Sequence, residues 1–156
     1  MKWITNTLEW ADTEQDIMNS HPAYNQMAKD KETLDYNDIV EEFEENEALG
    51  GKRYLISKDD RIIALLDYCP EHPVDHRVWL GLLIVHAAEQ GKGYGREIYM
   101  EFEDFVKATY AAEELRLAVL TENKNGRLFW DELGFEAYRE AEVKGKPVTC
   151  LRKPMR

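Results

Sequence analysis

The feature that most constrains this chain is an apolar segment that leads through a glycine-rich loop into a helical pattern. Residues 78–85 read VWLGLLIV, a run too short and too rich in β-favouring side chains for a helix. The loop QGKGYGR, residues 90–96, follows, and apolar residues then recur at helical spacing to about residue 110. This strand–loop–helix order predicts a mixed α/β fold with a parallel crossover.

The remaining segments predict a single sheet with helices before and within it. Helical spacing in residues 12–49 ends at two glycines, and the runs KRYLIS and RIIALLDYC predict a hairpin that turns at Asp59 and Asp60. Residues 115–121 form a further predicted strand, followed by a short helix that Gly134 closes. The last two predicted strands flank the turn KGK. The predicted order is helices, β, β, β, helix, β, helix, β, β.

Length and composition favour one globular domain over residues 1–156. The net charge of −11 argues against nucleic-acid binding, which depends on Lys and Arg neutralising phosphates. The longest apolar run is too short to cross a bilayer, and the first residues lack the apolar region of a secretory signal, so we expect a cytoplasmic protein without a membrane partner. Cys69 and Cys150 lie far apart without zinc-ligand spacing, so no metal is expected.

Much of the negative charge lies in one stretch, DIVEEFEENEALG, residues 38–50. An acidic surface steers cationic ligands, so this stretch could form the rim of a site for a cationic substrate. A solvated helix face has the same sequence pattern. Both interpretations stay open at this point.

The glycine loop has the chemistry of an anion site. A helix N-terminus leaves its first N–H groups without partners, and glycine lets the backbone approach phosphate oxygens closely. Lys92 and Arg96 add positive charge. The loop lacks the Gly-Lys-Ser/Thr ending of a P-loop and does not match the dinucleotide fingerprint, because position 96 is Arg. Chemistry alone leaves a phosphate site and a simple turn as alternatives.

Two longer segments resemble the signatures of the GNAT family of N-acetyltransferases. LLIVHAAEQGKGYGREI resembles the central signature, in which an apolar strand leads to Gln/Arg-x-x-Gly-x-Gly/Ala at the start of a helix. LAVLTENKNGRLFWDELGF resembles the second signature, and VTCLRKPM is similar to the last strand of the family. The resemblance runs from about Lys52 to the C-terminus. It implies an α/β (α+β) fold of order α-α-β-β-β-α-β-α-β-β after a short N-terminal strand, with splayed central parallel strands.

The resemblance also implies acetyl-coenzyme A as co-substrate, bound by the core 52–156, with helices in 12–49 beside the acceptor. The implied diphosphate-binding residues are Gln90, Gly91, Lys92, Gly93, Tyr94, Gly95 and Arg96. The pantetheine arm is expected between the splayed strands, on the backbone of Leu83, Ile84 and Val85, and an N–H near Val85 would polarise the thioester carbonyl. Asn123 matches a residue that contacts the arm, and Trp130 would pack against the arm or the core.

Family chemistry transfers the acetyl group directly to a primary amine, which must lose a proton, while the sulfur leaves as thiolate. Many relatives have a Tyr acid where this chain has Trp130, and some have a Glu base where it has Trp79. Neither Trp side chain can replace these groups. Asp67 and His76 remain as candidate bases, with His86 a further one. Tyr138 or Tyr94 remain as candidate acids.

Two functions are therefore expected from the resemblance. The first is an active N-acetyltransferase on a small cationic amine or on a lysine or peptide amine. The second is a non-catalytic module of the same fold that binds coenzyme A and regulates or contacts a partner. A third interpretation, a generic phosphate-binding protein, leaves the segment FWDELGF unexplained. Exposed terminal strands also make a homodimer possible.

Overall fold

The structure is a computed structural model that describes all 156 residues. The chain forms seven strands and five α-helices. The strands are β1 (Lys2–Thr5), β2 (Lys52–Lys58), β3 (Arg61–Cys69), β4 (Val78–Val85), β5 (Glu114–Leu120), β6 (Glu136–Val143) and β7 (Lys146–Pro154). The helices are α1 (Ala11–Asn19), α2 (Pro22–Lys29), α3 (Tyr36–Ala48), α4 (Tyr94–Tyr110) and α5 (Lys124–Glu132).

All seven strands join one mixed sheet in the order β1-β2-β3-β4-β5-β7-β6. Only β4 and β5 are parallel, because α4 crosses over between them; every other neighbouring pair is antiparallel. The predicted hairpin turn is confirmed, since Asp59 and Asp60 both have positive φ, as a two-residue turn of this hand requires. The mixed fold predicted from the sequence is confirmed.

The region before β2 holds three helices, where the family resemblance predicts two. Residues 12–49 contain a break at His21, which precedes Pro22 at the first position of α2. A second break precedes α3, whose start is fixed by a capping box in which Asp35 and Asp38 bond each other's backbone N–H groups. Gly50, with φ +74°, ends the α3 segment in the left-handed conformation that the sequence predicted.

The two faces of the sheet carry separate cores. On one face, α4 packs through Ile98, Phe102 and Val106 against residues of every strand from β2 to β5 and of β7. On the other face, α1 and α3 cover only the β2–β4 half, around Leu55, Leu65 and Ile84. The β5–β7–β6 half of that second face therefore has no helix over it.

The two parallel strands diverge soon after they start. Their pairing covers three positions, Val78–Leu80 of β4 with Leu115–Leu117 of β5, and then ends. Directly beyond it, the register of β4 with β3 shifts: Tyr68 faces Leu80 but Asp67 faces Leu82. Gly81 is thus the extra residue of a β-bulge, which bends β4 away from β5. The splayed strands implied by the resemblance are confirmed.

Candidate active site

The glycine loop presents an unbroken row of free backbone donors. The first backbone hydrogen bond of α4 is donated by Glu97 to Gly93, so the N–H groups of residues 91–96 donate to no protein acceptor. Gly91 and Gly93 both have φ +80°, and no atom lies within 4 Å of the position a Cβ would take at either one. Six free donors at a positive helix end form a cradle for a diphosphate.

Four cationic side chains lie around or next to this cradle, although the protein as a whole is acidic. Lys58 and Lys92 lie over the ring of Tyr94, at 5.2 and 6.0 Å from its centroid. Arg61 and Lys92 share the carboxylate of Glu89, and these two pairings lower its pKa, with the Lys92 bond the larger cause. Arg96 makes no ion pair. The sequence indicated Lys92 and Arg96, whereas Lys58 and Arg61 come from the β2–β3 hairpin, which only folding brings to the loop.

The gap between β4 and β5 exposes the backbone of alternate β4 residues. The N–H of His86 donates to Ile63 of β3 at 2.8 Å, so across a trans peptide the carbonyl of Val85 points away from β3, into the gap. Antiparallel alternation then directs the polar groups of Leu83 into the gap as well, and those of Ile84 toward β3. Of the three predicted arm-binding residues, Leu83 and Val85 therefore have backbone groups free to bind a strand-like arm.

The α5 side of the gap carries Asn123 and an aromatic pair. The Oδ1 atom of Asn123 caps α5 by accepting the N–H of Gly126 at 3.0 Å, which leaves its amide NH₂ free to donate. Phe129 lies 3.4 Å from where a Cβ of Gly95 would be, so it closes the gap beside the loop. Trp130 packs into the core with Tyr99 and Phe135 and is 9% exposed. Phe129, which the sequence interpretation did not single out, is the half-buried member of this pair.

An open groove crosses the helix-free part of the second face. Gly81 of β4 and Ala118 of β5 are solvent-exposed although both lie in central strands. Central-strand residues become exposed only where nothing packs above them, and both residues are small. The groove therefore passes over the point where β4 and β5 separate, on the side of the sheet opposite α4.

Asp67 borders this groove at the bulge. Its Oδ1 atom lies 2.2 Å from the position that a Cβ of Gly81 would take, so any larger residue at position 81 would displace the carboxylate. The side chain makes no hydrogen bond, and its closest cationic contact is Arg53 Nη1 at 3.5 Å from Oδ2. Burial raises the pKa of Asp67 to about 6 in spite of the Arg53 charge, which opposes the shift. Asp67 is thus a carboxylate that can exchange a proton near neutral pH.

Arg53 is the centre of a buried charge cluster on the same face. Besides Asp67 it contacts Glu14 of α1 and Glu42 of α3, each at 3.3 Å. Glu14 is 1% exposed, and burial raises its pKa. Tyr24 of α2 lies close enough for the Glu42 and Asp67 charges to raise its pKa, after burial as the larger cause, to about 12. The cluster joins three helices to two strands beside the groove.

The structure does not bring the other acid–base candidates to the vertex of the gap, which is the point where β4 and β5 begin to diverge. His76 lies in the loop before β4, at the end of that strand farthest from the glycine loop. Its ring is exposed and bonded to Glu71. Both ring nitrogens of His86 are engaged, one by the N–H of Ala88 and the other by Asp16. Tyr94 lies at the glycine loop. Trp79, at the family's base position, donates to Asp75.

Tyr138 is close to the groove but poorly suited as an acid. Its ring lies between Arg116 and Arg152, with guanidinium carbons 4.7 and 5.2 Å from the ring centroid. Its hydroxyl is buried without a hydrogen-bond partner, and burial raises the pKa of the phenol. A raised pKa makes the hydroxyl a weaker proton donor. Of the named candidates, only Asp67 combines the right position with a suitable pKa.

The β6–β7 hairpin crosses the groove on the outside. Lys144 in its turn pairs with Glu45 of α3, and Lys146 pairs with Asp30 just after α2. A cleft of about 340 Å³ lies beneath this strap, between Met27 of α2 and the end of β5. Three residues of the acidic stretch are therefore engaged in ion pairs. Glu45 pairs with Lys144, Glu42 with Lys29 and Asp38 with Lys31.

No group of three or more His, Cys, Asp or Glu side chains is placed to hold a metal ion. Both cysteines are buried free thiols. None of the helices has both the length and the apolar content needed to span a membrane.

A donor cradle, a strand gap and a carboxylate where that gap begins are the features expected of an acyltransferase whose substrate is a diphosphate-bearing thioester. A family model described as the acetyltransferase (GNAT) family matches residues 10–135. The chain belongs to this family, and the resemblance stated from its motifs is confirmed. It is therefore an N-acetyltransferase, and the family transfers the acetyl group of acetyl-coenzyme A to an amine.

Individual relatives are distant. The uncharacterized protein YkzC of Bacillus subtilis (strain 168) is 27% identical over 106 residues, which cover 67% of this chain and 73% of YkzC. An acetyltransferase from Thermus thermophilus has the same fold, with a TM-score of 0.78 at 21% identity over 98% of this chain and 96% of that one. The spermidine N-acetyltransferase of Vibrio cholerae, solved with CoA and spermine, has a TM-score of 0.74 at 12% identity over 99% and 95%.

Proposed function

We propose that the protein acetylates a primary amine of a small cationic molecule, with Asp67 as the general base. The observation that carries this proposal is the position of Asp67, beside Gly81, where β4 and β5 begin to diverge. The Asp67 carboxylate lies on the side of the sheet that carries the groove. The donor cradle lies at the other end of the gap, where β4 leads into the glycine loop. The two substrates can therefore meet at the vertex from different directions.

The backbone of the gap orders the thioester. With the diphosphate on the free N–H groups of residues 91–96, the arm enters at Val85 and its reactive tip lies deepest, toward the bulge. Leu83 is the gap-facing residue nearest the bulge, so its N–H is the donor best placed to polarise the thioester carbonyl. We therefore assign this role to Leu83 in preference to an N–H near Val85. A preorganised donor of this kind contributes about 3 kcal/mol.

Asp67 supplies the proton transfer. The incoming ammonium gives one proton to the carboxylate, and the neutral amine attacks the thioester carbonyl to form the new C–N bond. The nitrogen then loses its second proton, to solvent or to the departing sulfur, and the C–S bond breaks with the electron pair on sulfur. A pKa of about 6 keeps Asp67 ionised at pH 7 and still basic enough to accept this proton. Neither of the named candidate acids, Tyr94 and Tyr138, is suited to donate a proton to the sulfur, which therefore leaves as thiolate or takes a proton from solvent.

The surroundings of Asp67 favour a cationic and slender acceptor. Glu14, Glu42 and Asp67 outnumber the cations that contact them, Arg53 and Lys29, so the cluster is negative overall. The hairpin strap covers the groove through the pairs of Lys144 with Glu45 and Lys146 with Asp30, which suits a linear amine better than a folded protein. The Vibrio cholerae enzyme of the same fold is a spermidine N-acetyltransferase, and this supports a polyamine-like acceptor. A lysine in a flexible peptide is the second candidate.

The direct test is release of free coenzyme A thiol in the presence of a panel of amines, with mass spectrometry of the products. Polyamines, aminoglycosides, lysine peptides and neutral amines form the panel. We expect turnover with a cationic amine and a rate that rises with pH through about 6. Acetyl-coenzyme A binding without acetylation of any amine would instead support the non-catalytic binding module.

A further inference from the structure

One histidine from the acceptor side reaches into the cofactor gap. His21 lies between α1 and α2, and its Nε2 atom is 2.6 Å from the carbonyl oxygen of Val85. A carbonyl oxygen can only accept, so Nε2 carries the proton and donates it. The sequence gives no sign of this contact, because 64 residues separate the two partners.

The bond completes the fixation of one peptide group at the edge of the gap. On one side, the N–H of His86 in the same peptide group donates to Ile63 of β3. On the other side, the Val85 carbonyl has no neighbouring strand, since β5 has already diverged, and His21 takes the place of a strand partner. The peptide plane is thus held from both sides. The second lone pair of the carbonyl remains free to accept another N–H.

We propose that His21 is a positioning residue for the acyl-coenzyme A arm: it fixes the Val85 carbonyl at the angle where an amide N–H of the arm can bond to it. This inference rests on the proposed function, because it concerns the same gap. It assigns to the α1–α2 connection, on the acceptor side, a direct role in holding the donor. His21 touches no reacting atom in this role.

The test compares His21→Ala with His21→Gln, whose side-chain amide can donate in place of Nε2. Calorimetric titration with coenzyme A gives the Kd, and steady-state kinetics give kcat and the KM for acetyl-coenzyme A. We expect His21→Ala to raise Kd and KM about three- to tenfold, the worth of one hydrogen bond, with kcat changed less than about twofold. His21→Gln should restore most of the affinity.

Ser20→Ala is the matched control. Ser20 anchors the same connection by accepting the N–H of Ala87 at 3.0 Å, but this bond lies outside the gap. We expect Ser20→Ala to lower thermal stability as much as His21→Ala does while leaving the Kd unchanged.

An unchanged Kd in His21→Ala, even with reduced stability, would overturn the inference, and so would tighter binding, which would show that His21 obstructs the arm. The Kd measurement needs no turnover. Weaker coenzyme A binding by His21→Ala in a protein that acetylates no amine would support the inference and sink the proposed function.

Discussion

The two ends of the β4–β5 gap present different chemical groups, backbone N–H donors at one end and charged side chains at the other. At the donor end, residues 91–96 offer backbone N–H groups, and the glycines supply the conformation. At the acceptor end, Arg53 and its carboxylates come from two strands and two helices that lie far apart in the chain. In the proposed function the donor end binds the co-substrate that the family shares, whereas the acceptor end depends on long-range packing that each chain can vary.

The energetics of the two ends differ as well. Free amides at a helix start remain solvated until a ligand arrives, so the donor end costs the fold little. The acceptor end buries charge, and a buried carboxylate such as Asp67 destabilises the folded protein unless it is paired or protonated. In the proposed mechanism this instability has a use, because the burial that destabilises the Asp67 carboxylate also raises its pKa and makes it a better base.

The largest effect is expected from Asp67→Asn, which keeps the shape and removes the base. It should lower kcat by about 10²- to 10⁴-fold, the usual contribution of a positioned general base, with the Kd for coenzyme A unchanged. Asp75→Asn is the matched control, since Asp75 also contacts an arginine but bonds Trp79 and Arg116, which belong to the paired part of β4 and β5. Equal losses in both variants would remove Asp67 from the mechanism.

Asp67→Asn should lower activity but raise the stability of the folded protein. The folded-state pKa of Asp67, about 6, is above its ordinary value of 3.8, so folding favours the protonated form. The free energy of unfolding should therefore fall as pH rises from about 4 to 6 and stay lower above that range. Asp67→Asn should unfold at a higher temperature than the wild type at about pH 8, and the difference should disappear near pH 4. A more stable wild type at the higher pH would contradict this assignment.

A second large effect is expected at Arg53. Replacing it with Met leaves three carboxylates together without their cation, which typically costs about 3–5 kcal/mol of folding free energy. Arg116→Met is the comparison, because Arg116 also contacts two carboxylates, Asp75 and Glu114, but is more exposed. Denaturant unfolding at neutral pH should show the larger loss for Arg53→Met. Similar losses would mean that burial does not distinguish the two clusters.

An intermediate effect tests the donor end. Gly93 and Gly145 have nearly the same φ, +80° and +79°, and a Cβ meets no atom at either position. Replacing either with Ala forces a left-handed conformation that costs about 1–2 kcal/mol. Gly93→Ala should also weaken coenzyme A binding about tenfold, because it disturbs the free amides. Gly145→Ala, in the β6–β7 turn, should lose stability but leave coenzyme A binding unchanged.

These two ends were not equally predictable from sequence. The loop was identified because its information is local: glycines at fixed spacing, a strand before them and a helix after them. The hairpin and the splayed strands also followed from local pattern and family resemblance. Asp67 was named only as one of several candidate acid–base residues, since nothing local distinguishes its surroundings from those of His76.

The Arg53–Asp67 contact shows why the rest could not be predicted. Asp67 interrupts an apolar run of the predicted hairpin, which is a signal in itself, whereas Arg53 only follows Lys52 at the start of the other run. Regular pairing from the turn, where Lys58 faces Arg61, would place Arg53 opposite Leu66. A register shift between Ile56 and Ser57 moves it opposite Asp67 instead. One irregular residue in the ladder decides whether these charges meet, and no local pattern reveals it.

The smallest effect is expected at the strap over the acceptor end. Exposed ion pairs contribute less than about 1 kcal/mol each, so Lys144→Gln with Lys146→Gln should barely change stability. The double variant should nevertheless change the KM for the amine about two- to fivefold and leave the KM for acetyl-coenzyme A unchanged, because the hairpin spans the groove and not the glycine loop. Added salt should shift the wild-type amine KM in the same direction and affect the double variant less.

Lys31→Gln removes a comparable surface pair with Asp38 that does not hold the hairpin, and it should change neither constant. An amine KM that responds equally to Lys31→Gln would show that general surface charge, and not the strap, governs how the acceptor enters.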